Sequence, residues 1–125
     1  MNINSIGYQA YKKTQIQTAD QGRLILMCYD GAISFLKQAQ KAHGEKDDTT
    51  MGDFLTKAQN ILWELTNGLN FEAGEIAYNL EALYNYMIRR IIDAQYLNKI
   101  EPLNEVINHL QELRESWQTI ILKKS

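Results

Sequence analysis

A chain of 125 residues, 45% of them apolar, with a net charge of −2, has room for one domain with a real core and not for two comfortable ones. Its acidic and basic residues are interspersed without a basic block, which excludes the electrostatic signature of nucleic-acid binding. The lone cysteine, Cys28, fits a reducing compartment. MNINSIGYQAYKK lacks the order of a signal peptide, and no run of about 18 apolar residues exists to span a membrane, so a cytoplasmic protein without membrane insertion is expected.

With a single proline, Pro102, no hairpin-like turns and long segments of 3.6-residue period, an all-α fold is expected. Residues 1–19 are of a separate kind. They are polar with spaced apolar side chains (Ile3, Ile6, Tyr8, Tyr11, Ile16) and no persistent helical period. They read as a mobile N-terminal segment, extended or short-helical, ahead of a bundle at 20–125. Docking along a groove and disorder in isolation are both open for it.

The first helix is expected from Asp20, a good N-cap, to about His43, with Gly44 as C-cap and EKDDTT as a solvated loop. Advanced at 100° per residue, Leu24, Ile25, Leu26, Cys28, Tyr29, Ala32, Ile33, Phe35, Leu36 and Ala39 fill an arc of about 200°, twice the stripe of an ordinary surface helix. Met27 lies beyond the opposing polar cluster. Half of this arc can build a core; the other half needs another helix or another protein. The second helix is expected from Met51 to Leu69, with Thr50 and Asp53 resembling a capping box. Phe54, Ala58, Ile61, Leu62, Leu65 and Leu69 form its stripe, with Leu55 at the edge and Trp63 well outside.

The third helix, from about Glu75 to Asn98, carries the core line Ile76, Leu80, Leu83, Tyr84, Met87, Ile91 and Ala94, broadened by Ile88 and Ile92. Tyr78, Tyr86 and Tyr96 lie on its polar side near Arg89, a tyrosine and arginine surface suited to recognition. The fourth helix starts near Pro102 and runs to about Leu122 with an even stripe from Leu103 to Ile121. Four helices with short connections predict an antiparallel up-down four-helix bundle. The broad arcs of the first and third helices predict spare apolar surface, which monomers rarely expose without a reason.

Catalytic chemistry is not evident. Neither Gly22 nor Gly31 follows a strand as a nucleotide loop requires, and Gln40 and Val106 stand where a di-iron bundle would place glutamates before His43 and His109. Cys28 has no base beside it, and one cysteine with two distant histidines is a poor zinc set. No enzyme, metal or cofactor is expected. Asp30 is expected either to pair with Arg89 or Arg90 or to stand in solvent.

Tyr11 and Ile16, followed by TADQGRLILMCYDGA at 18–32, resemble the signature of the flagellar secretion chaperone FliS family. KAQNILWEL at 57–65, LYNYMIRR at 83–90 and LRESW at 113–117 match further blocks in the same order. Gln21 and Arg23 depart from the family's usual proline and glutamate, and Cys28 stands where leucine is common. The resemblance implies a small cytoplasmic bundle that binds the disordered C-terminal segment of flagellin, prevents premature polymerisation and helps deliver it to the type III export gate. Implied partners are that segment, the cytoplasmic domain of an export-gate membrane protein, and regulatory proteins that the sequence does not specify. Tyr11 matches a family tyrosine implicated in engaging the gate, and the N-terminal segment can cover client surface when no client is bound.

The expected contact residues are Tyr8, Tyr11 and Ile16 in the N-terminal segment and Leu24, Met27 and Tyr29 on the first helix. On the third helix they are Tyr78, Tyr86, Ile88, Arg89, Ile92 and Tyr96. The alternative reading is a homo-oligomeric bundle, an adaptor or regulator with no flagellin client.

Overall fold

The computed structural model describes residues 18–124, with side chains from 22 to 119. Its elements are α1 (Thr18–Gly44), α2 (Asp48–Asn67), a 3-10 turn (Phe71–Ala73), α3 (Glu75–Leu97) and α4 (Glu101–Lys124). There is no strand among the described residues, and the all-α four-helix bundle read from the sequence is the observed fold. The helices form a ring in which α1 packs on α2 and α4, and α3 packs on the same two, so α1 and α3 are diagonal partners. The short loops make neighbours antiparallel.

Helix boundaries follow capping chemistry that the sequence offered more than once. α2 starts three residues before the expected Met51. The Asp47 carboxylate, not the Thr50 hydroxyl, is the cap, and it accepts the Thr50 N–H at 3.1 Å. Gly44 is not the turn residue of α1 either. The left-handed position is Lys46, with φ of 58°; its N–H reaches the His43 carbonyl at 3.0 Å and the Asp47 N–H reaches Ala42 at 2.9 Å. This pair of bonds is a Schellman closure. α3 ends the same way at Asn98, φ 55°, with Asn98 N–H on Gln95 and Lys99 N–H on Ala94. The Asn70 side chain caps the 3-10 turn by accepting the Glu72 N–H.

The core is one contiguous cluster drawn from all four helices. Leu36, Leu55, Leu62, Met87, Ile91, Leu103, Val106 and Leu110 are fully enclosed. Two details of the expected stripes change. Leu55, placed at an edge, is fully buried, while Phe54 is only half-buried and stacks on Phe35 of α1 beneath the Lys57 ammonium. Ile76, expected to open the core line of α3, is 63% exposed, because the contiguous core ends before the first turn of that helix.

Most of the wide arc of α1 is covered by its own chain, with Ile25, Leu26, Cys28 and Phe35 left partly exposed. Along one edge Gly31 approaches Ile61 and Phe35 meets Phe54 of α2. Along the other Asp30 and Gln40 reach Arg114 and Asn104 of α4. Asp30 therefore pairs with Arg114, not with Arg89 or Arg90 as the sequence reading allowed. Of the two arcs expected to be in surplus, that of α3 is the more open, with Ile92 48% exposed.

Candidate functional site

α3 has one face without a covering helix. Tyr78 and Tyr96 are five full helical turns apart, about 27 Å along the axis, and so lie on a single line. Glu81, Ala82, Asn85, Arg89 and Ile92 fall within about 60° of that line. Tyr78 is 58% exposed, Ile92 48% and Tyr96 87%. The strip runs beside the α2 seam, where Gly52 of α2 sits against the Gln95 side chain of α3. Trp63 lies three turns along α2 on the same side as Gly52, and it is 47% exposed. At one end Phe71, from the 3-10 turn, packs against Tyr78 with ring centroids 4.8 Å apart. The result is an elongated strip over the outer α2/α3 seam, aromatic and aliphatic at its ends, with Glu81, Asn85 and Arg89 along its middle.

The opposite flank of α3 is polar and already engaged. The Tyr86 hydroxyl donates to Glu105 of α4, and the Tyr86 ring meets His109 edge-on at 6.3 Å. Arg90 joins the group through Asp93 at 3.1 Å and Glu105 at 3.4 Å. The contact to Glu105 is an ion pair without hydrogen-bond alignment, since the shielded Arg90 Nε has no aligned acceptor. The shared hydrogen bond holds the Glu105 carboxyl below its ordinary range and pushes the Tyr86 phenol above its own. This cluster closes the α3/α4 seam, and the Arg89 guanidinium sits 6.0 Å from the Tyr86 ring.

The predicted contact residues divide accordingly. Tyr78, Arg89, Ile92 and Tyr96 come together on the open strip. Met27 is exposed on the far side of α1, away from them. Tyr86 is at the surface but bonded to Glu105. Leu24, Tyr29 and Ile88, expected at the partner surface, are buried. Tyr29 turns inward because its hydroxyl meets that of Tyr84, 2.6 Å away, and Ile88 lies in the core beside Met87 and Ile91. Leu24 falls on the enclosed arc of α1. Tyr8, Tyr11 and Ile16 lie outside the described residues. Trp63 and Phe71 were not among the predicted contacts. Trp63 carried a signal, its position off the stripe of its own helix; Phe71 carried none, since its side depends on the 3-10 turn.

Catalytic features are sparse. Burial, and then the charge of Glu64, push the Cys28 thiol up to about 11, so it stays protonated and unreactive. Among the described residues no three His, Cys, Asp or Glu side chains converge as a metal would require. A shallow open depression at the loop pole, lined by His43, Lys46, Asp48 and Asn98, holds the hydrogen bond between His43 and the Asn98 carbonyl. Among the described residues no helix is long and apolar enough to cross a membrane.

A helical bundle whose polar groups hold its seams, and whose apolar strip faces outward, belongs to the class of small α-helical binding proteins. Its sequence relatives narrow that class. The family model described as flagellar protein FliS matches residues 3–124, and the chain belongs to that family. It is 38% identical to the flagellar secretion chaperone FliS of Salmonella typhimurium, over 95% of this chain and 93% of the relative. To the Bacillus subtilis protein of the same name it is 35% identical, over 91% and 85%. To that of Vibrio cholerae it is 33% identical, over 90% and 86%. The family is one of chaperones, not enzymes, and its work lies in flagellar protein secretion.

Proposed function

We propose that this chain is a cytoplasmic chaperone that binds the disordered C-terminal segment of flagellin, holds it back from polymerisation and hands it to the type III export gate. The observation that carries the reading is the α2/α3 strip, an exposed surface about 27 Å long on which Tyr78, Ile92 and Tyr96 stand out from a bundle that otherwise closes its own core. An amphipathic client segment lays its apolar face on such a strip, with Tyr78, Ile92, Tyr96 and Trp63 as anchors and Arg89 receiving a carboxylate or carbonyl. Ordering a disordered client costs conformational entropy, so a long strip suits it better than a compact pocket. Tyr8, Tyr11 and Ile16 belong to the same proposal, Tyr8 and Ile16 as part of a segment that exchanges with the client and Tyr11 as the contact to the gate.

The test is flagellin polymerisation followed by light scattering with the purified chain added. One equivalent of the chain arrests growth of full-length flagellin, and flagellin lacking its C-terminal segment is not retained on the immobilised chain. Unaltered polymerisation, or equal retention of truncated flagellin, overturns the proposal. The homo-oligomeric alternative predicts instead a stable dimer in sedimentation, with the α2/α3 strip buried between copies.

A further inference from the structure

Tyr29 of α1 and Tyr84 of α3 are enclosed to 0% and 2% exposure, and their hydroxyl oxygens lie 2.6 Å apart. They bridge one diagonal of the ring, joining two helices that are not neighbours. No charged or other strongly polar side chain is buried among the described residues. Each hydroxyl therefore depends on the other. Either oxygen of the pair can donate.

What surrounds the pair in sequence gives it a further role. One helical turn either side of Tyr29 are Ile25 and Ile33; either side of Tyr84, Leu80 and Ile88. A slip of either helix by one turn sets hydrocarbon against hydrocarbon almost everywhere, and aliphatic contacts are non-directional, so the apolar core alone discriminates such slips weakly. The same slip strands each hydroxyl opposite an aliphatic side chain. A buried donor or acceptor without a partner is costly, whereas a shape-matched apolar replacement of both partners is nearly neutral.

We propose that the Tyr29–Tyr84 pair is a register lock. It contributes little net stability but makes one alignment of α1 against α3 the single packing of the bundle, and so keeps the outward strip of α3 in one place. Buried polar groups fix register in this way in coiled coils.

Three variants of the full chain test it: Tyr29→Phe, Tyr84→Phe and the double substitution. Urea unfolding gives the stability, and methyl NMR of Met87 and Ile91, with near-ultraviolet circular dichroism, gives the uniqueness of packing. Each single variant lowers the folding equilibrium constant by about tenfold or more, because it leaves one hydroxyl unpaired. The double variant recovers most of that loss, since neither hydroxyl is left to seek a partner, but its methyl signals split or broaden and its aromatic dichroism weakens. Singles that fail to fold beside a folded double variant support the lock equally. Losses that add in the double variant, singles as stable as the parent, a double variant that does not fold, or a double variant with single sharp methyl signals would each overturn the lock.

Discussion

Cys28 shows how burial decides what a reactive residue does. Its thiol, half-buried on α1, is raised from an ordinary 9.0 to about 11, so at pH 8 its thiolate population falls about 100-fold. Iodoacetamide should label the native chain at pH 8 about 100-fold more slowly than a free cysteine, and the urea-unfolded chain at the ordinary rate. Equal rates would place the thiol in solvent. The same shift has a stability consequence. Because the folded chain holds this proton more tightly, the associated stability is complete below pH 9.0 and is lost as the pH rises towards about 11. Tyr29 and Tyr84, both raised above 10.0 chiefly by burial, add a steeper loss beyond pH 10. Urea midpoints should be level between pH 7 and 8.5 and fall progressively above 9; a midpoint unchanged at pH 10.5 would contradict this burial.

At the same scale, Tyr78→Ala and Tyr96→Ala should leave the urea midpoint unchanged and weaken flagellin binding about tenfold each, as read by calorimetric titration. Leu36→Ala, which empties a fully enclosed site, should cost about 2–5 kcal/mol of stability by urea unfolding. Equal stability losses at all three positions would erase the division between core and strip. The sequence showed that Tyr78 and Tyr96 share a side of their helix, because five turns separate them. It did not show that Tyr29 points inward. Tyrosine is equally at home at a surface and in a core, and only the partner hydroxyl on α3, 55 positions away, decides between them.

Among the elements, periodicity revealed all four helices, and their ends were less legible. Asp47, Asp48, Thr49 and Thr50 are all acceptable cap types, and which one caps depends on where the chain leaves α1. Asp47→Ala should lower the urea midpoint and speed amide exchange in the first turn of α2, with Thr50→Ala nearly silent; the reverse order would restore Thr50 as the cap. The turn after α1 was misread because Gly44 suits a left-handed residue better than Lys46 does. Lys46→Gly should accordingly stabilise the chain by about 1 kcal/mol, since a lysine at φ 58° bears strain that glycine does not. No gain in the urea midpoint would show that the Schellman closure imposes no such strain.

For the whole molecule, surplus apolar surface was legible and its location only half so. α1 has the wider arc, yet α2 and α4 flank it on both sides, and its interior is the Tyr29 and Leu36 face of the core. α3 has the same two neighbours, but Tyr78 and Tyr96 lie beyond their reach. Which arc stays open depends on how side chains meet across each seam, and that is a property of pairs of helices. Gly31 draws α2 close to α1 through Ile61, and the Tyr86, Arg90 and Glu105 group occupies the α4 flank of α3. That leaves the α2 flank of α3, with Ile92 and Trp63, as the unfilled side.

The most direct measurement is calorimetric titration of the flagellin C-terminal segment into the chain at several temperatures, repeated with Tyr78, Ile92 and Tyr96 all replaced by alanine. An outward strip that receives the client predicts saturable binding with a negative heat-capacity change, and a loss of about 100-fold or more in the triple variant at unchanged urea midpoint. Wild-type affinity in the triple variant, or binding with no heat-capacity change, would contradict it.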